Sequence, residues 1–166
     1  MRQVSRIRRA TEKDVSTIDR TIMDWLGWRT PREESIRRAI ENKELLVADQ
    51  NGKVTGFIHC VMHEDIIDGG LNSFITCFYV APEFRNKGIG FELLDRAIND
   101  ALEKGAVGIE TSTASPDARR LYEAYHFKQF MANWTMGEVF LELDIEEYRS
   151  SQRPRVSREP NRQAMR

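Results

Sequence analysis

Arg85-Asn86-Lys87-Gly88-Ile89-Gly90 stands between an apolar, strand-like run, Asn72 to Val80, and a segment whose Leu93, Leu94, Ala97, Ile98, Ala101 and Leu102 recur at helical spacing. Two glycines at this separation let the backbone turn sharply and approach a ligand with no Cβ in the way. The helix that follows points its unpaired N–H groups and the positive end of its dipole into that turn. An anion belongs there, and a phosphate group suits the geometry best. Two common phosphate motifs do not fit. The P-loop spacing Gly-x-x-x-x-Gly-Lys-Ser/Thr is absent. A dinucleotide-binding turn needs three glycines within alternating βα units, and here antiparallel strands precede a late glycine turn.

Upstream of the turn, Val4 to Arg9 reads as a first strand. Thr11-Glu12-Lys13-Asp14 has the form of a capping box, followed by Val15, Ile18, Ile22 and Leu26 on one helical face. Thr30-Pro31-Arg32-Glu33 predicts a second helix opening with a cap and an early proline. Leu45–Asp49 and Lys53–Val61 read as strands joined by a Gln50-Asn51-Gly52 hairpin turn. Downstream, the helix stops at Gly105, Val107–Thr111 is a strand, and Ser115-Pro116 starts a helix carrying Ala118, Leu121, Tyr122 and Tyr125. Lys128–Thr135 and Glu138–Asp144 form a last strand pair around Met136-Gly137. The element order is βααβββαβαββ, an α/β (α+β) fold with a mixed, mostly antiparallel sheet flanked by helices.

The chain has 166 residues, enough for one domain with a substantial core. No run approaches the ~18 apolar residues of a membrane span, and Met1 to Arg6 lacks the apolar stretch of a signal peptide. Cys60 and Cys77 sit in strand-like segments and read as small buried hydrophobes rather than a disulfide framework. A cytoplasmic protein with no membrane contact is expected. The net charge of −1 hides an asymmetry: from Arg149 onward there are six arginines and one acid, so the tail carries +5 and the body −6. The expected division is a folded domain over 1–144 and a basic tail over 145–166 that is disordered or loosely docked.

Two blocks resemble the Gcn5-related N-acetyltransferases. Phe78-Tyr79-Val80-Ala81-Pro82-Glu83-Phe84-Arg85-Asn86-Lys87-Gly88-Ile89-Gly90 is similar to the family's acetyl-CoA signature, with its Arg/Gln-x-x-Gly-x-Gly core. Ser115 to Phe127 is similar to its Asn-x-x-Ala-x-x-Leu-Tyr-x-x-x-Gly-Phe block, and the element order matches over roughly Val4 to Asp144. The resemblance implies acetyl-CoA as co-substrate, no metal, and direct acetyl transfer to a primary amine. It implies that the backbone of Arg85, Asn86, Lys87, Gly88, Ile89 and Gly90 wraps the pyrophosphate. Phe78, Tyr79 and Val80 would pair with pantetheine, and the Val80 N–H would polarise the thioester carbonyl.

The resemblance makes Tyr122 the general acid for the departing thiolate, while Tyr125 packs. Many relatives carry a glutamate base on the strand before the glycine turn. That position here is Thr76. Relatives that acetylate protein N-termini place a glutamate five residues before the helix-start asparagine, which matches Glu110. Ser115 replaces that asparagine at the cofactor, and His126 replaces the glycine that ends the helix.

His59 reads as a core histidine, and His63, Glu64 and Asp65 as solvated loop residues without metal-ligand spacing. The acceptor, a small molecule or a peptide or protein amine, would meet Trp25, Trp28 and the Trp134–Gly137 region, with Asp24 and Asp68 as counter-charges. A homodimer is compatible with this reading, and nucleic acid is a disfavoured partner. The competing reading is a non-catalytic acyl-CoA-binding module whose basic tail recruits a partner.

Overall fold

Seven strands form one sheet in the order β1-β2-β3-β4-β5-β7-β6. The computed structural model describes residues 5–27, 29–66, 69–133 and 135–152. The strands are β1 (Arg6–Arg9), β2 (Leu45–Gln50), β3 (Lys53–Glu64), β4 (Leu71–Val80), β5 (Gly108–Thr113), β6 (Lys128–Asn133) and β7 (Glu138–Asp144). The helices are α1 (Val15–Leu26), α2 (Glu33–Glu41), α3 (Ile89–Glu103), α4 (Pro116–Ala124) and α5 (Ile145–Gln152). All neighbouring strands are antiparallel except β4 and β5, which α3 connects as a parallel crossover. The element order expected from the sequence is therefore present, with one helix added at its end.

Alternation along the strands feeds two cores. In β2, Leu45 and Val47 join Val15, Ile18, Ile36 and Phe57 under α1 and α2. Leu46 and Ala48 face the other way, with Ile58, Ile75, Ile109, Leu141 and Leu143 under α3 and α4. Both faces of β2 are covered, which is why its apolar run is continuous rather than alternating. The α1–α2 cluster includes no residue of β5, β7 or β6. Among the described residues, no helix covers that face of the C-terminal half of the sheet.

Local chemistry explains most boundaries. Asn51 and Gly52 adopt φ of 54° and 83° between β2 and β3, as a two-residue hairpin turn with both central residues left-handed requires. The Thr11–Asp14 box is present: Asp14 Oδ2 accepts from the Thr11 N–H at 2.7 Å and from its hydroxyl at 3.0 Å. Arg8 clamps the same carboxylate at 2.8 and 2.9 Å and reaches Asp49 with Nε at 2.9 Å, tying β1, the start of α1 and β2 together. Burial opposes the Asp14 charge, but the Arg8 fork and the Thr11 donors outweigh it and hold the carboxyl below its ordinary range. A cavity of about 620 Å³ beside this cluster is lined by Arg8, Asp14, Asp49 and Lys53.

Several boundaries differ from the sequence reading: β3 runs past Val61 to Glu64, so His63 and Glu64 are strand residues rather than loop residues, and β5 continues to Thr113. The second helix starts at Glu33, not at Pro31, and Arg32 at its N-cap makes no side-chain cap. Asp19, buried on α1, accepts from the Arg32 N–H at 2.7 Å and holds the chain there, a long-range partner that local capping rules cannot show. The tail also begins later than Ile145. Ile145 is 2 % exposed inside the α3 core, Tyr148 packs beside it, and Asp144 accepts from the Glu147 N–H at 2.7 Å. Asp144-Ile145-Glu146-Glu147 is itself a helix-start pattern, which the basic composition further on obscured. Residues 153–166, which carry five of the six arginines counted from Arg149 onward, lie outside the described residues, as do Trp28, Asp68 and Trp134. Among the described residues no helix is long and apolar enough to cross a membrane.

Candidate active site

β4 and β5 pair only from Asn72↔Gly108 to Ile75↔Thr111. Past that point β4 runs on to Val80 beside β3, β5 runs on to Thr113 beside β7, and the sheet opens into a fork. The antiparallel ladder decides which β4 groups face the gap. Ala81 donates to the Thr55 carbonyl at 2.9 Å, so with Val80 opposite Gly56 the backbone of Tyr79 is turned toward β3. The N–H groups of Phe78 and Val80 then point into the fork. The Val80 carbonyl is taken by Arg85 Nε at 2.9 Å, which ties the open strand to the glycine turn that follows it.

That turn uses two left-handed residues, Asn86 at φ 58° and Gly88 at φ 89°. Gly88 is the N-cap of α3 and makes no side-chain cap, so the first α3 N–H groups are open toward the mouth of the fork. Ile89 is buried, leaving only its backbone for a ligand. A Cβ on Gly90 would lie 3.2 Å from Leu121 of α4, and close to Phe78 and Val80 as well. The second glycine of the motif thus lets α3 and α4 pack closely, and the first serves the left-handed turn. Gly56 makes the same kind of allowance from β3: a Cβ there would meet the Tyr79 carbonyl at 2.8 Å and Leu93 at 3.2 Å. Nothing in the sequence singled it out. Lys53 and Lys87 place their ammonium groups 5.0 and 5.3 Å from the Phe84 ring, adding positive charge beside the turn.

Tyr122 stands at the apex. It is 2 % exposed, packed against Phe78 and Phe127, and its phenolic oxygen accepts from Thr111 Oγ1 at 3.4 Å. Thr111 also lies 3.3 Å from the Ile75 carbonyl, where the two strands part. Burial pushes the Tyr122 phenol above its ordinary value, with the Thr111 contact opposing, so it is a neutral donor at pH 7. Thr111 was missed in the sequence because its role comes from the β4–β5 register alone. Ser115 caps α4, its Oγ accepting from Ala118 at 3.3 Å. His126 holds the left-handed position, φ 70°, expected where the family has glycine. Tyr125 donates to the Phe91 carbonyl at 3.2 Å and packs against that ring in a tilted arrangement, with centroids 5.7 Å apart.

Glu110 is on the other face. Ile109 and Thr111 point toward α3 and α4, so Glu110 between them points to the side that α1 and α2 leave open past β4. The structure therefore does not bring Tyr122 and Glu110 together. It sets them on opposite faces of one gap. Trp25 is 44 % exposed at the end of α1, with its ring 5.2 Å from Tyr79, which stacks on Phe57 at 5.3 Å. Its partner Tyr79 is the residue before Val80, so this aromatic surface borders the fork on the Glu110 side, and exposed Asp24 is next to Trp25 on α1. Burial pushes the Cys60 thiol up to about 12 and the Cys77 thiol up to about 11, so neither is a thiolate near neutral pH.

The fold is shared with characterised structures. The NatC complex bound to Gag peptide and CoA matches with a TM-score of 0.72 at 18 % identity, covering 85 % of this chain and 98 % of that one. The yncA protein of Salmonella typhimurium, solved with its cofactor acetyl-CoA, matches with a TM-score of 0.71 at 22 % identity over 86 % and 95 % of the two chains. An uncharacterized N-acetyltransferase of Archaeoglobus fulgidus is 26 % identical over 124 residues, 73 % of this chain and 79 % of its own. The profile of the acetyltransferase (GNAT) family matches residues 14–127, and this chain belongs to that family.

Proposed function

We propose that this protein is an N-acetyltransferase that moves the acetyl group of acetyl-CoA to a primary amine by direct attack in a ternary complex. The observation that carries the reading is the fork: an unpaired stretch of β4 with the Phe78 and Val80 N–H groups facing a gap, leading into an uncapped helix start. A pantetheine arm pairs with such a strand as a missing strand would, and the pyrophosphate sits on the Arg85–Gly90 backbone at the α3 N-terminus. CoA and acetyl-CoA in the two structural neighbours support this donor.

The thioester carbonyl then lies against the Val80 N–H, which is most valuable where negative charge develops during attack. The amine comes from the face bearing Glu110, Trp25 and Tyr79. Glu110 receives the ammonium and takes its proton through water. The thiolate departs on the other face toward Tyr122, and Ser115 at the head of α4 borders the cofactor. Acid and base on separate faces suit direct transfer, because in the tetrahedral adduct the nitrogen and the sulfur occupy different corners about the carbonyl carbon and each meets its own proton-transfer group. The peptide in the NatC structure makes a peptide α-amine the first acceptor to try.

Free-thiol release from acetyl-CoA, measured across pentapeptides with free α-amines, spermidine and an aminoglycoside, tests the proposal. Amine-dependent release by the unaltered protein supports it. If acetyl-CoA raises the melting temperature while no amine accelerates release, the chain is a binding module instead.

A further inference from the structure

β3 and β4 slip register between His59 and Cys60, opposite Cys77 and Ile75, so Thr76 has no residue across from it. The bulge turns Thr76 toward His59. Its Oγ1 lies 2.5 Å from His59 Nδ1 and 3.4 Å from the His59 carbonyl. On the far side of the ring, Nε2 is buried without a hydrogen-bond partner and lies 3.5 Å from Glu44 Oε2. Glu44 is in turn held by its backbone, its N–H bonded to Ala39 and its carbonyl to the Cys60 N–H. The sequence alone offered His59 as a core histidine. The structure makes it the middle of a hydroxyl–imidazole–carboxylate chain.

The chain ends at the fork. Thr76 is exposed and is the first β4 residue after the pairing with β5 stops at Ile75↔Thr111. His59 shares a face of β3 with Phe57, which belongs to the α1–α2 core, so the chain lies on the same face as Glu110 and opposite Tyr122. We propose that Thr76, His59 and Glu44 form a proton relay that serves the incoming amine, with Thr76 as the catalytic residue that meets it and His59 and Glu44 as positioning residues behind it. The inference rests on the acetyl-transfer reading above.

A primary ammonium loses two protons in becoming an amide. Glu110 takes the first as the amine approaches. As the nitrogen bonds to the acetyl carbon, its second proton passes to Thr76 Oγ1 while the Thr76 hydroxyl proton passes to His59 Nδ1. The resulting imidazolium faces the Glu44 carboxylate. Tyr122 gives one proton to the CoA thiolate and regains one from water. Glu110 and His59 return theirs to water, so one net proton is released per acetyl group transferred. The relay requires the His59 tautomer with hydrogen on Nε2, the nitrogen nearer Glu44.

Three variants and one spectrum test it, using the fastest amine of the panel above. In Thr76→Val and His59→Gln, kcat falls at least tenfold while KM for acetyl-CoA stays within twofold. Thr76→Ser keeps the hydroxyl and stays within threefold of the unaltered rate. The proton inventory in mixed light and heavy water is curved for the unaltered protein, and linear for Thr76→Val. Nitrogen-15 spectra of the unaltered protein show the Nε2–H tautomer for His59, a readout that needs no turnover. If Thr76→Val matches the unaltered rate, or Thr76→Ser loses as much as Thr76→Val, or His59 carries its proton on Nδ1, the relay is wrong. If the unaltered protein transfers acetyl to no amine, the relay falls together with the acetyl-transfer reading.

Discussion

The two sides of the β4–β5 fork are built from different materials. On the side proposed for the donor the contacts offered are backbone: the Phe78 and Val80 N–H groups and the open first turn of α3. On the side proposed for the acceptor they are side chains drawn from distant parts of the chain: Trp25 from α1, Tyr79 from β4 and Glu110 from β5. Backbone recognition constrains where glycine and a helix start must stand, and so it leaves a pattern in a single stretch. Side-chain recognition depends on which strands become neighbours, so Glu110 could be named from its spacing to Ser115 but the face it occupies could not.

The contrast can be broken most severely on the donor side. Gly88→Asp places a Cβ at φ 89° and a negative charge where the pyrophosphate is proposed to sit, so acetyl-CoA affinity should fall on the order of a hundredfold or more by calorimetric titration. An unchanged affinity would remove the turn from the site. Glu110→Gln should do the opposite: kcat/KM for the amine drops by roughly thirtyfold while acetyl-CoA binds as before. Loss of cofactor binding in that variant would show that the two sides are not separable.

A scaffold change should leave both sides alike. Asp14→Asn leaves Arg8 with one carboxylate partner instead of two and should cost about 2 kcal/mol of folding stability in urea. Because its folded pKa is depressed, Asp14 stabilises fully above the ordinary carboxylate pKa. That contribution is lost as pH falls through the lowered value. The acid limb of the unfolding profile should therefore flatten in Asp14→Asn, with acetyl-CoA affinity unaffected at pH 7. The smallest effect is expected for Tyr122→Phe, about fivefold in kcat, since a thiolate leaves reasonably well without an acid. A loss as large as that of Glu110→Gln would move the difficult step from the amine to the leaving group.

Legibility in the sequence followed the same division. The strands and helices were readable because periodicity, the Asn51-Gly52 turn and the Thr11–Asp14 box are local signals that the structure keeps. The start of α2 was misread because Asp19, thirteen residues earlier, replaces the local cap at Arg32. The start of the tail was misplaced because composition beyond it outweighed one buried isoleucine and its capping aspartate. Within the site, Arg85–Gly90 and Tyr122 were named from motif register. Thr111 and the Thr76–His59–Glu44 chain were not, since each depends on a strand register or a bulge.

The sequence by itself determined the element order, the glycine turn and a helix start that suits a phosphate, because those follow from propensities and spacings within a few residues. The tertiary structure decided that β4 and β5 separate after Ile75, which β4 N–H groups face the gap, and that Tyr122 and Glu110 lie on opposite faces of it. Those outcomes depend on strand pairing across tens of residues, where a shift of a single residue would turn every side chain to the other face.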